Sequence, residues 1–363
     1  MKKILLLTLI LINFYSCRDN TNISPKLVSN NSPSISPNLS NTPSPTPSNL
    51  NNIKDTKEKI VFMSNRNGFW DLYVMNSDGS NQTRITNDNM KSPFAFSVSP
   101  DSKKLAYISD KTGNSELYVK DLLSGKVTQM TETEADEGNP SWSSDSSNII
   151  FHSNYFDKNK YEILKMNYPP SAINNFSKFI SDNFLSLLHP VYSPNGAYVL
   201  YSELNEEGKI SLKIYDNVQK TERELLSSEN NPINGSWSPD SKKIIYWTSN
   251  NGIFEINIDG TSNKSINSFK NIRGTPFFSP DGKKIAISRG IGFSEDYNIW
   301  LIDSDGTNPK KITSEGGISI SWIKDSTGLN LSENTQNPMS SSNPVTTPNN
   351  NQINPLDPLI NPN

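Results

Sequence analysis

The chain is poor in the residues that most often carry chemistry. Its 363 residues include one cysteine and two histidines, which excludes an internal disulfide framework and any metal site built from cysteines. It has no Gly-x-Ser-x-Gly nucleophile elbow and no Walker phosphate loop, so two common routes to hydrolysis are closed. The longest apolar run, Ile4 to Ile12, has nine residues, where a membrane-spanning helix needs about 20. An excess of one charge is also missing. Against 34 Lys and Arg stand 37 Asp and Glu, for a net charge of −3, which leaves no electrostatic footprint for nucleic acid or for an anionic membrane surface. What the chain does have is aromatics, 13 Tyr, 15 Phe and 6 Trp, set mostly in short apolar runs. Half of the 24 prolines fall in the two ends, leaving roughly 270 residues of globular character, enough for one large domain.

The N-terminus has the layout of an export signal. Lys2 and Lys3 precede the apolar run, and Cys17 follows Phe14-Tyr15-Ser16. This resembles a bacterial lipoprotein signal peptide, in which the cysteine becomes the lipid-bearing first residue of the mature chain. The other reading is an ordinary secretory signal cut nearby, with Cys17 incidental. On the first reading residues 1–16 are the signal and Cys17 is the lipid attachment site. Residues 17–59 are a disordered tether of Asn, Ser, Pro and Thr, unable to bury enough apolar area to offset its ordering entropy. Residues 332–363 have the same character. Arg18, rather than Asp, follows Cys17; by resemblance to such lipoproteins this leans towards an outer location, periplasmic or at the cell surface.

Between the tails one element recurs. Its copies are VSPDSKKLAYIS from Val98, WSSDSSNIIFHS from Trp142, YSPNGAYVLYSE from Tyr192, WSPDSKKIIYWT from Trp237, FSPDGKKIAISR from Phe278 and WIKDSTGLNLSE from Trp322. The anchor positions Ser99, Ser143, Ser193, Ser238, Ser279 and Ile323 lie 44, 50, 45, 41 and 44 residues apart, the period of a four-stranded propeller blade. Ser-Pro-Asp-Gly at 279–282 favours a type I turn, and the apolar run after it makes a hairpin. Third strands begin at Glu116, Gly252 and Asn298, and the Asp-Gly pairs at 78–79, 259–260 and 305–306 turn the chain into a fourth. Residues 60–86 lack a first strand and residues 318–331 supply one. The expectation is an all-β, six-bladed propeller over 60–331, built of four-stranded antiparallel blades and closed by pairing of its N- and C-terminal strands.

The Ser-Pro-Asp-Gly-Lys-Lys-Ile-Ala repeat, the segment SNRNGFWDLYVMNSDGSNQTRIT from Ser64 and the six-blade count resemble the TolB-type propellers, with WD-repeat-like blades. The resemblance covers about 60–331. It implies a propeller in the cell envelope with a protein partner. It is weak as to activity, because the fold hosts many functions. Related blades occur in prolyl peptidases, whose triad sits in a separate domain, and in a lyase family with several histidines around a metal.

Loops leading into first strands and loops between second and third strands should share one face of the disc. That face gathers Arg66, Trp70, Asp136, Glu137, Tyr155, Phe156, His189, Arg273, Arg289 and Tyr297, with Glu132 and Glu134 nearby. Aromatics and arginines of this kind dominate protein-binding hot spots. His189 occupies a column with Ala95, Asn139, Asn234, Thr275 and Ser319 at the mouth of the channel. His152 shares a column with Met63, Ile108, Ser202, Trp247 and Ser288, which reads as unconstrained. The acidic run at 132–137 reads as a solvated loop. Asp303-Ser304-Asp305-Gly306 suggests a calcium loop but has Asn308 and Ser314 where Gly and Glu are needed, so it reads as a hairpin turn. The leading expectation is a non-enzymatic, lipid-anchored monomer binding a protein or a peptidoglycan-associated partner, with no cofactor, no metal and no nucleic acid. One alternative is a metal-assisted hydrolase or lyase at the channel mouth, with His189 and rim carboxylates. Another is a purely structural surface module.

Overall fold

The structure is a computed structural model, and it describes residues 58–324 except 93–94, 183–184, 228–231, 249–251, 268 and 291–296. Cys17, the tether, the tail beyond 331 and the last part of the repeat lie outside the described residues. The chain opens with β1 (Glu58–Ser64), β2 (Asp71–Asn76) and β3 (Thr83–Arg84). Blade 1 follows as β4 (Phe96–Val98), β5 (Lys104–Ser109), β6 (Glu116–Asp121) and β7 (Val127–Gln129). Blade 2 is β8 (Glu137–Trp142), β9 (Asn148–Ser153), β10 (Glu162–Asn167) and β11 (Phe176–Ile180). Blade 3 is β12 (Ser186–Tyr192), β13 (Tyr198–Leu204), β14 (Ile210–Asp216) and β15 (Thr221–Leu226). Blade 4 is β16 (Pro232–Trp237), β17 (Lys243–Thr248), β18 (Gly252–Asn257) and β19 (Lys264–Asn267). Blade 5 is β20 (Phe277–Phe278), β21 (Lys284–Arg289), β22 (Asn298–Asp303) and β23 (Lys310–Lys311). Finally β24 (Ile318–Lys324) pairs with β1, from Glu58↔Lys324 to Met63↔Ile318. The result is the expected six-bladed, four-stranded antiparallel propeller, with a sixth blade in the order β24-β1-β2-β3 built from both ends of the domain.

The period-2 geometry of a strand assigns alternate side chains to the two neighbouring blades. Val61 and Met63 pack towards blade 1, in a core shared with Leu105 and Tyr107. Ile60 and Phe62 point the other way, into a core with Ala286 and Ile299 of blade 5. The same alternation in β5 sends Ala106 and Ile108 to blade 2, and in β9 it sends Ile150 to blade 3. Middle strands are therefore buried on both faces and read as continuous apolar runs. Outer strands carry the charge: β23 is two exposed lysines and β15 begins with four exposed polar residues, which discourages edge-to-edge pairing.

The repeated turn is held the same way in the five copies that carry serine at the anchor position. Ser279 Oγ donates to Asp281 Oδ1 (2.7 Å) and accepts from Lys284 N (2.9 Å), and Ser99, Ser143 and Ser238 do likewise. Indole N–H groups clip blades together: Trp142 Nε1 donates to Ser97 O at 3.1 Å and Trp237 Nε1 to Val191 O at 3.0 Å. The Asp-Gly turns need glycine twice over. Gly79 has φ +94° and Gly306 +87°, and a Cβ on either would lie 2.2 Å from a carbonyl oxygen of the adjacent blade, that of Ile312 or Ile266. The 303–306 segment is such a turn, with Gly306 N bonded to Asp303 O.

Candidate functional site

In antiparallel blades the ends of second strands and the starts of first strands lie on one face, and the site residues lie there in two groups. Their placement begins with a repeated irregularity. First strands carry a register shift where they leave that face, between Gly138 and Ser141, Leu188 and Val191, and Pro232 and Gly235. Asn139 and His189 sit in two of these bulges with φ of +45° and +52°, and Ser319, with φ +47°, sits in a further one where β24 pairs with β1. Four members of the column at the channel mouth, Asn139, His189, Asn234 and Ser319, thus lie in bulges, which re-aim their side chains.

The His152 column is not unconstrained, and this expectation is corrected. Strand alternation points position 152 at the next blade, where its Nδ1 accepts the backbone N–H of bulged His189 at 3.3 Å. Ser202 Oγ donates to Ile233 O and Ser288 Oγ to Gly317 O, each likewise reaching the following blade. Three members of the column thus fasten their blade to the next, whereas Trp247 Nε1 donates to Asn234 Oδ1 within blade 4. The His152 and His189 rings meet edge to face at 5.8 Å, and Tyr161 packs against His152 at 5.2 Å. Burial lowers both imidazoles, His189 to about 4, with His189 further lowering His152. Glycine at 138 makes room for the pair, since a Cβ there would lie 2.2 Å from His152 Nε2.

Beside the histidines lies a buried acid network. Glu132, Glu134 and Asp136 are exposed as expected, but Glu137 is only 3% exposed, which corrects the reading of the whole run as solvated. Glu137 Oε1 accepts from Ser153 Oγ (2.9 Å) and Thr133 Oγ1 (3.3 Å), and its Oε2 from Thr131 Oγ1 (3.2 Å). Its neighbour is Glu116, 1% exposed, whose Oε1 accepts from Thr133 N at 2.7 Å. Burial first, then the bond to Glu116 and its charge, push Glu137 up to about 9.

Above this network the blade 2 loop turns its aromatics outwards. Tyr155 and Phe156 are 47% and 48% exposed, meet edge to face at 5.1 Å, and are backed by Phe176 at 5.0 Å from Tyr155. Lys178 Nζ lies 4.7 Å from the centre of the Phe156 ring. The loop is tied down, because Tyr155 N donates to Ser153 Oγ (3.1 Å) and Asp136 N to Asn154 Oδ1 (2.8 Å).

The second group, at blades 5 and 6, is differently occupied. Arg66 donates to Ser64 Oγ (3.0 Å), Gln82 Oε1 (2.6 Å) and Gly316 O, reaches Glu315, and lies 4.6 Å over the Tyr73 ring. Trp70 is half-buried against the blade 6–blade 1 core and exchanges backbone hydrogen bonds with Met90. Arg273 stacks over Tyr297 at 5.4 Å, and Arg289 over Phe269 and Trp300 at 4.6 and 5.3 Å. The structure therefore brings Asp136, Glu137, Tyr155, Phe156 and His189 together, with Arg66, Trp70, Arg273, Arg289 and Tyr297 elsewhere on the face. Sequence reasoning missed Glu116, Thr131, His152, Phe176 and the exposed Phe69. Strand parity would have flagged His152.

Among the described residues no group of three or more His, Cys, Asp or Glu is arranged to hold a metal ion. Also among these residues, no helix is long and apolar enough to cross a membrane. Two clefts, of about 640 and 430 Å³, lie on the opposite face, between blades 5 and 6 and between blades 4 and 5.

Comparison with known proteins accords with this geometry. The Tol-Pal system protein TolB of Francisella tularensis subsp. mediasiatica is 32% identical over 120 residues, 32% of this chain and 26% of that protein. The chain thus matches about a quarter of the length of that curated relative. TolB from Acinetobacter baumannii superimposes with a TM-score of 0.64 at 21% identity, covering 74% of this chain and 67% of that one. An oligogalacturonate lyase in complex with manganese has a TM-score of 0.50 at 14% identity, covering 70% and 73%; both likenesses speak to fold alone. The family model for the TolB β-propeller domain matches residues 53–229, 89–265 and 198–337, and the chain belongs to that family.

Proposed function

We propose that this protein is a non-enzymatic component of a bacterial cell envelope, held at the membrane by a lipid on Cys17, whose propeller binds a protein or peptidoglycan-associated partner through the channel face. The observation that carries the reading is the blade 2 corner, where two half-exposed aromatics are pre-set edge to face over a third ring and a lysine. Rigid aromatic anchors of this kind supply contact area at little entropic cost. Membership in the TolB β-propeller family, and relatives named for the Tol-Pal system, support an envelope setting. Glu137 and His189 are buried, so on this reading they support the loops around them while Tyr155 and Phe156 make contact, with Asp136 on the rim. Arg66, Trp70, Arg273, Arg289 and Tyr297 form a second, firmer rim.

The test is cross-linking of tagged full-length protein in living cells, recovery from the membrane fraction and identification of what is bound, with Cys17→Ser and Tyr155→Ala/Phe156→Ala as controls. One dominant partner lost in the aromatic variant, and displaced from the membrane in Cys17→Ser, is the expected result. A purified chain that turns over peptide or glycan substrates at enzyme-like rates overturns it.

A further inference from the structure

Glu116 and Glu137 come from adjacent blades, β6 and β8, and both are buried. Each hydroxyl that reaches Glu137 already accepts a backbone N–H: Thr131 from Leu117 (2.8 Å), Thr133 from Ala135 (2.9 Å) and Ser153 from Tyr155 (3.1 Å). Each therefore has its own proton free to donate to the carboxyl group. Glu137 Oε1 takes two of these and Oε2 one, while Glu116 Oε2 is buried with no hydroxyl or amide donating to it. Among the described residues no lysine or arginine forms an ion pair with either carboxylate, and Lys111, over the Tyr118 ring, is paired with Asp88. Asp136 and Tyr161 face it, His152 and His189 on β9 and β12 are held neutral by burial, Lys158 is committed to exposed Glu134, and Lys160 and Lys178 to Glu162 of β10. Exposed Glu132 adds only negative charge to the same loop. Thr133 touches both buried glutamates, its N–H on Glu116 Oε1 and its hydroxyl on Glu137 Oε1; two ionised carboxylates so placed and so dry would repel strongly, whereas a carboxylic acid donating to a carboxylate satisfies both.

We infer that Glu116 and Glu137 share one proton at neutral pH, and that this proton locks blade 1 to blade 2 and, through Ser153, fixes the loop that presents Tyr155 and Phe156. The upward push on Glu137 agrees with this arrangement. When the pair loses the proton to solvent at alkaline pH, like charges face each other across the blade joint and the loop is released. The shared proton does not depend on the function proposed above; its effect on partner binding rests on that reading.

The test uses the full chain and needs no partner. Infrared difference spectra between wild type and Glu137→Gln are expected to show one protonated carboxylic acid at pH 7 that titrates away in the alkaline range. Hydrogen exchange at the Tyr155 amide should rise at least tenfold between pH 7 and pH 10 beyond the intrinsic base-catalysed increase. Glu137→Gln, which carries a permanent N–H donor, should remove that extra rise, and Glu116→Gln should do so from the other side. Glu137→Ala should expose the amide already at pH 7. No acid band at pH 7, or glutamine variants whose Tyr155 amide behaves like that of Glu137→Ala, overturns the inference. Neither result bears on whether a partner binds, so the two readings fail separately.

Discussion

The two groups on the channel face use similar residue types to opposite ends. At blades 5 and 6 Arg66 looks like a binding residue, yet its capacity is consumed inside the protein: it spends its donors on Ser64, Gln82 and Gly316 and its flat face on Tyr73, while Arg273 and Arg289 lie over aromatic rings. In the blade 2 group Glu137 and His189 are buried while Tyr155 and Phe156 are left out in solvent. The difference shows that residue type alone does not locate a recognition surface. What distinguishes a contact residue from a strut is capacity left unused once the fold has taken its share.

The comparison breaks first where the blade 2 group is tightest. Gly138→Val places a branched side chain where a Cβ alone would lie 2.2 Å from His152 Nε2, so a loss of about 3 kcal/mol is expected, read as a fall in Tm of roughly 6 °C or more. Arg66→Ala should cost less, about 1–2 kcal/mol, because it removes hydrogen bonds and ring contacts at a half-buried site and leaves Glu315 free to turn to solvent. Thermal melts at one pH rank the two. A larger effect at Arg66 than at Gly138 would mean that the firm half of the face, not the blade 2 side, holds the tighter joint.

The propeller was legible in the sequence because its instructions are local. Ser-Pro-Asp-Gly makes its turn from four consecutive residues, and Asp-Gly from two, so spacing alone counted the blades. The two halves of the sixth blade were readable by subtraction. The site was less legible because it is made between blades. Glu137 ends an acidic run and cannot be told by composition from Glu134, and only its pairing with Ser153 in the strand register buries it. His152 stood in an aligned column whose members differ in chemistry, and what it shares with Ser202 and Ser288 is a direction, towards the entry of the next blade's first strand. Read by parity, Ile150 and His152 face the same neighbour.

The buried groups sharpen the comparison through pH, with opposite signs. Histidines held below their unfolded value, His189 at about 4, stabilise the fold above the unfolded pKa of 6.5 and lose that contribution as pH falls towards 4. Glu137, raised from 4.5 to about 9, behaves inversely: its contribution is full below 4.5 and is lost as pH rises through 9. Tm should therefore decline from pH 6.5 to 9, while the two terms oppose each other between 4.5 and 6.5. His189→Asn separates them. Asn139 already occupies the matching bulge of blade 2 at φ +45°, so the backbone should accept the change within about 1 kcal/mol at pH 7. Below pH 6.5 this variant should lose less stability than wild type; an unchanged acid limb would remove His189 from the account.

The smallest expected effect on stability is the one that decides function. Tyr155 and Phe156 expose about half their surface, at 47% and 48%, and the loop beneath them is held by its backbone, through Ser153 and Asn154. Replacing both with alanine should shift stability by no more than about 1 kcal/mol. If these rings anchor a partner, the same change should weaken capture by roughly thirtyfold or more, since a hot-spot aromatic contributes about 2 kcal/mol. Arg66→Ala, by contrast, should lower Tm while leaving capture close to wild type once protein is assayed well below its melting point. The pair of variants thus dissociates the two halves of the face in both directions. Capture lost with Arg66 and kept without Tyr155 and Phe156 would move the contact surface to blades 5 and 6 and leave the blade 2 aromatics as cover for the acid network below.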